Sequence, residues 1–77
     1  MLTGKRFKLR ISTMAIESSD GKRVAVIVPA GSVVTVVSGP DGDDRMIDVR
    51  WEGRIVVMFA VDLTTRGIDI TAFSAQA

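Results

Sequence analysis

The sequence predicts a small all-β domain, on three observations. Eleven valines and seven isoleucines stand against three leucines, and β-branched side chains, restricted at χ1, suit the pleated surface of a strand better than the turns of a helix. No window between glycine and proline breakers keeps the i, i+3, i+4, i+7 recurrence of an amphipathic helix, while several windows alternate strictly or run as short Val and Ile blocks. At 77 residues the chain makes one domain, 1–77, with its core expected at about 5–70. A domain of this size buries only about 60% of its unfolded surface, so its stability margin is small.

The first segment, Arg6 to Ile11, alternates with Phe7, Leu9 and Ile11 on one face and Arg6, Lys8 and Arg10 on the other. It predicts a half-buried strand with a basic outer face. Met14-Ala15-Ile16 then leads into Ser18-Ser19-Asp20-Gly21, whose Asp-Gly pair supplies the positive φ a tight hairpin needs. The return strand, Val24 to Val28, stops at Pro29-Ala30-Gly31, where proline removes a ladder donor and glycine permits a reversal. Ser32 to Val37 is the next strand, and Ser38-Gly39-Pro40-Asp41-Gly42-Asp43-Asp44 is the strongest loop signal in the chain.

Met46 to Glu52 alternates again, with Ile47, Val49 and Trp51 expected inward and Asp48, Arg50 and Glu52 outward. A turn at Glu52-Gly53 leads into a strand over 54–61. Asp62 to Gly67 reads as one 3₁₀ turn, with Asp62 as N-cap and Gly67 as the stop. Ile68-Asp69-Ile70 is a last short strand, and 71–77 is expected to fray.

In this order the chain resembles an SH3 domain over residues 22 to 70. The resemblance rests on a strand ending at Pro29-Ala30-Gly31, Ile47-Asp48-Val49-Arg50-Trp51, the Glu52-Gly53-Arg54 turn, Val57-Met58-Phe59-Ala60-Val61 and Asp62-Leu63-Thr64-Thr65-Arg66. The chain is also similar to short uncharacterised bacterial proteins built on this barrel. The resemblance implies a five- to six-stranded antiparallel SH3-like barrel. Ser38 to Asp44 would be the n-Src-like loop, Glu52-Gly53-Arg54 the distal hairpin and Asp62 to Arg66 the 3₁₀ turn before the last strand. It implies no particular ligand, because the barrel hosts many functions. With no tyrosine and a single tryptophan, Trp51, the chain lacks the aromatic groove that reads proline-rich peptides.

Composition limits the chemistry. The absence of cysteine and histidine excludes disulfides, the usual structural zinc sites and thiol or serine-triad catalysis, and no cofactor is expected. Carboxylates and lysine remain for acid-base work, but no two carboxylates share an apolar wall that would split their pKa values. An enzyme of this kind would need a pore shared between subunits, and a non-enzymatic role is expected. No signal-peptide pattern opens the chain, since Lys8 and Arg10 interrupt its apolar residues. The longest apolar runs, Val24 to Ala30 and Ile55 to Val61, fall far short of the roughly 20 residues a spanning helix needs. Cytoplasmic residence without membrane contact is the expectation.

Charge and hydrophobicity point to partners. Residues 1 to 23 carry net +4 and residues 24 to 77 net −3. Lys5, Arg6, Lys8, Arg10, Lys22 and Arg23 form the candidate face for nucleic acid or a protein partner, because alternate residues of a strand lie about 7 Å apart, near the spacing of phosphates. The same residues also serve to blunt an exposed sheet edge. Asp41, Asp43, Asp44 and Asp48 lack the ordered ligand spacing of a calcium loop and suit a basic strand of a neighbouring subunit. An apolar fraction of 47%, with strands apolar on both faces, predicts a homo-oligomer. Val56, Met58, Ala60 and Trp51 are the candidate self-association face.

Overall fold

Two short turns set the registers of the sheet. The computed structural model describes residues 2–40 and 45–74, with side chains through Ala72. In chain order it holds β1 (Arg6–Leu9), β2 (Thr13–Ser19), β3 (Lys22–Val28), β4 (Val33–Ser38), β5 (Met46–Trp51), β6 (Arg54–Phe59), α1 (Ala60–Arg66), β7 (Gly67–Asp69) and α2 (Thr71–Ser74). Asp20 and Gly21 have φ of 52° and 76°, and Glu52 and Gly53 have 51° and 76°. Positive φ at both central residues is the signature of a type I′ turn, whose twist matches the flanking strands. The first turn pairs β2 with β3 from Ser19↔Lys22 to Thr13↔Val28. The second pairs β5 with β6 from Trp51↔Arg54 to Met46↔Phe59.

The strands form one antiparallel sheet in the order β3-β2-β6-β5-β4-β1-β7. Its inner face carries Phe7, Leu9, Ala15, Val28, Val34, Val36, Ile47, Val49, Trp51, Val56 and Met58, and Leu63 of α1 completes the buried cluster. Leu2, Val26 and Ala60, partly buried, pack against this cluster. Strand β1 pairs with both β4 and β7, tying the start of the domain to its last strand. The all-β expectation holds.

Three expectations are corrected. There are seven strands rather than five or six, because the Asp20-Gly21 turn pairs all seven residues of β2 with β3. The sheet is not a hydrogen-bonded closed barrel among the described residues. Its edges β3 and β7 do not pair, since β7 spans three residues and the β2–β3 hairpin reaches past the core, exposed from Ser18 to Ala25. The 3₁₀ turn is a seven-residue α-helix starting at Ala60, with Phe59 as N-cap and no side-chain capping bond. Asp62 stands inside its first turn and pairs with Arg66 at 3.8 Å. The Thr65 hydroxyl donates to the Val61 carbonyl at 2.6 Å, so the threonines bond back along the helix and release no turn.

Smaller differences follow from the same pairing. Ile11, expected inward with Phe7 and Leu9, is exposed, because the chain leaves the sheet at Arg10, whose backbone N–H donates to the Arg66 carbonyl at 2.8 Å. A bulge between Val36 and Ser38 adds a residue to β4, which turns Ser38 from the inner parity of Val34 and Val36 to the outer face. There its hydroxyl donates to Asp48 Oδ2 at 2.8 Å. The segment expected to fray contains α2 at Thr71–Ser74. The Thr71 hydroxyl and backbone N–H both face the Asp69 carboxylate, the N–H donating to Oδ1 at 2.9 Å, and Lys5 Nζ lies 3.5 Å from Oδ2. These contacts hold the Asp69 carboxyl below its ordinary value near 3.8.

Candidate interaction surfaces

The outer face of the sheet is built from the residues that alternate with the core. Its pairings run across the strands in two rows. In one, Ala25 stands opposite Ile16, Ile16 opposite Val57, and Val57 opposite Asp48. In the other, Arg6 stands opposite Thr35, Thr35 opposite Arg50, and Arg50 opposite Ile55. The face therefore divides at the β6–β5 boundary. Its β3-β2-β6 half is apolar, with Met14 55%, Ile27 59%, Ile55 46% and Phe59 45% exposed. These four side chains, each about half exposed, leave on the order of 300 Å² of apolar surface in water, a size reached by the largest patch of an ordinary monomer and often functional there. The β5-β4-β1 half is mixed, with Asp48, Arg50, Thr35, Arg6 and Lys8 beside the part-exposed Val33 and Val37 of β4.

The candidate self-association residues are placed differently. Val56 and Met58 are 0% and 1% exposed and Trp51 is 8% exposed, so they belong to the core, with Ala60 half-buried beside it. The two faces of β6 are inverted relative to the expectation. The reason lies in the Glu52-Gly53 turn: a two-residue loop makes Trp51 and Arg54 partners, which sets Val56 opposite Val49 and Met58 opposite Ile47. Once Ile47, Val49 and Trp51 face inward, Val56 and Met58 must follow, leaving Ile55, Val57 and Phe59 outside. At the end of the hairpin Arg54 lies 4.5 Å from the centroid of the Trp51 ring and 3.3 Å from Glu17 Oε1. Trp51 is thus a core anchor with a cation over its ring.

The six N-terminal cations do not form one stripe. Lys22 and Arg23 lie on β3, at the edge of the sheet opposite to β1 and β7. Lys5 pairs with Asp69, and the Arg10 guanidinium donates to the Thr65 carbonyl. Arg6 and Lys8 remain on the outer face of β1, and Arg50, which was not among the six, joins them from β5 across Thr35. Long-range pairing assembles this group, so no local charge run announces it. Asp48, two residues from Arg50, is engaged by Ser38.

A cleft of ≈ 560 Å³ lies where β6 meets α1, lined by Pro40, Arg45, Phe59, Ala60 and Val61. The candidate loop carboxylates Asp41, Asp43 and Asp44 lie outside the described residues. Among the described residues no group of three or more His, Cys, Asp or Glu side chains is arranged to hold a metal ion. No described helix is long and apolar enough to cross a membrane. No family model matches the chain, and neither does any curated protein or solved structure.

Proposed function

We propose that the chain is an SH3-like domain built on an open seven-stranded sheet, and that it acts as a non-enzymatic interaction module and assembles with copies of itself through the outer face of β3, β2 and β6. The fold reading is supported by the distal hairpin at Glu52-Gly53, the helix before the last strand and the pairing of β1 with β7. The functional reading rests on one observation. The outer surface of β3-β2-β6 is apolar where a sheet facing water alternates to polar side chains.

Assembly would cover Met14, Ile27, Ile55 and Phe59 without disturbing the core behind them. Ile27→Asp combined with Phe59→Asp is expected to convert an oligomer, measured by size-exclusion chromatography with light scattering, into a monomer with an unchanged far-ultraviolet spectrum. A wild-type chain that stays a monodisperse monomer at high concentration overturns the proposal.

A second reading is favoured by Arg6, Lys8 and Arg50, which share the outer face and make no ion pair among the described residues. They suit the phosphates of a single-stranded nucleic acid. Three phosphate contacts predict a salt slope of about −2 in log affinity against log salt. Lys8→Glu with Arg50→Glu is expected to abolish an anisotropy rise measured with a labelled oligonucleotide at low salt. No rise with the wild-type chain removes this reading.

A further inference from the structure

The two edges of the sheet are unequal. β7 offers three residues and is followed at once by α2. β3 offers seven, and from Val24 to Val28 it contains no charge, no proline and no glycine. Natural edges are blunted by inward charges, prolines, bulges or brevity. β3 carries cations only at its start, Lys22 and Arg23, and its proline, Pro29, lies beyond its end.

The Asp20-Gly21 turn decides which β3 backbone groups are free. In a two-residue hairpin the residues flanking the turn exchange both hydrogen bonds, and such pairs alternate along the ladder. Ser19↔Lys22 is that first pair, so Lys22, Val24, Val26 and Val28 bond to β2. Arg23, Ala25 and Ile27 aim their N–H and C=O groups away from it. The same alternation turns Ile16 of β2 toward β6, where it pairs with Val57. Arg23, Ala25 and Ile27 make no backbone hydrogen bond beyond the hairpin among the described residues.

We infer that β3 pairs antiparallel with β3 of a second copy, centred on Ala25, so that two sheets become one across a two-fold axis. This inference rests on the self-assembly reading and adds an edge contact to it, since the pairing sets the two outer faces side by side and leaves their cover to the outer-face contact. The register follows from the free groups. Pairing Ala25 with Ala25 and Arg23 with Ile27 uses all three outward residues of each strand, giving six hydrogen bonds. Shifting the centre by one residue either way leaves two such pairs, and the shift toward Val28 sets Arg23 against Pro29, which has no N–H.

Charge selects the orientation. In this register the two Arg23 residues stand four residues apart along the strand, about 14 Å, beyond a Debye length at physiological salt. A parallel pair would set them side by side at about 4.8 Å. Val24 of each copy, half exposed in the single chain, gains Val26 of the other as its cross-strand neighbour. The pairing is continuous with the apolar outer face through Ile27.

The chain has no cysteine, so a single introduced thiol tests the register. Paired Ala25 residues would have Cα atoms about 5.5 Å apart, within disulfide range. Ala25→Cys is expected to form a dimer on oxidation, whereas Val33→Cys, also exposed but on β4, is not. Ala25→Pro removes an outward N–H and spares the β2 ladder, so it is expected to remain folded and to form a smaller oligomer. An oligomer by light scattering in which Ala25→Cys does not cross-link, or which Ala25→Pro leaves intact, overturns the β3 pairing and spares self-assembly through the outer face. A monomeric wild-type chain overturns both, and capture of a β-strand peptide by an edge that never pairs with itself overturns the β3 pairing alone.

Discussion

Val56→Asp is expected to leave the chain unfolded, while Ile55→Asp, one residue earlier on the same strand, is expected to leave it folded. Val56 is 0% exposed and stands opposite Val49. A carboxylate there loses its water, and the penalty is several kcal/mol even after relaxation. A domain of this length has a total stability of roughly 4–11 kcal/mol at the usual share per residue, so the substitution removes most or all of it. Ile55 lies on the outer face opposite Arg50. An aspartate there stays hydrated and faces a cation, and its cost is about 1 kcal/mol in strand preference. Urea unfolding monitored by Trp51 fluorescence separates the two. Equal destabilisation, or the reverse order, would show that β6 presents the other face to the core.

Gly67→Ala carries the second large effect. The φ of Gly67 is −111°, a conformation open to any residue, so the requirement for glycine is one of space. A Cβ at this position would stand 2.6 Å from the Leu63 carbonyl oxygen and 3.3 Å from Phe7 Cβ. The same carbonyl accepts the Gly67 N–H that ends α1, and Leu63 is the helix's buried residue. The methyl group must therefore push α1 away from β1 or lift β7 out of register. A loss of about 2–3 kcal/mol is expected from this overpacking, lowering the thermal midpoint by roughly 10 °C or more for a domain of this size. An unchanged midpoint would mean that the α1–β7 junction is looser than its contacts indicate.

Much of the local structure was legible in the chain. Alternation sorted Phe7 and Leu9 from Arg6 and Lys8, and Ile47, Val49 and Trp51 from Asp48 and Arg50, because side chains of a strand alternate whatever the strand packs against. The Asp20-Gly21 and Glu52-Gly53 turns were legible because few residue pairs accept positive φ twice in succession. The face of β6 was also available, through the parity imposed by Glu52-Gly53, but strand 54–61 is apolar on both sides and hydrophobicity alone does not choose. Ala60 and Val61 continue that apolar run and leave the strand for α1, where Leu63 completes the core. A stop of this kind depends on the space beneath the sheet, and no residue marks it.

The candidate surfaces divide along the same line. Sequence proximity grouped Lys5, Arg6, Lys8, Arg10, Lys22 and Arg23. Strand order dispersed them, because β2, β6, β5 and β4 lie between β3 and β1, while Arg50 was brought to Arg6 across Thr35. By itself, the sequence determined the all-β class, the two tight turns and the alternation of each strand, all properties of φ preference and side-chain period within a few residues. Tertiary structure alone decided the strand order, the meeting of Arg6, Lys8 and Arg50, the open β3 edge and which apolar side chains lie on the outer face. Those depend on which strands pair across long stretches of chain, and the pairing is chosen by the burial of one common core.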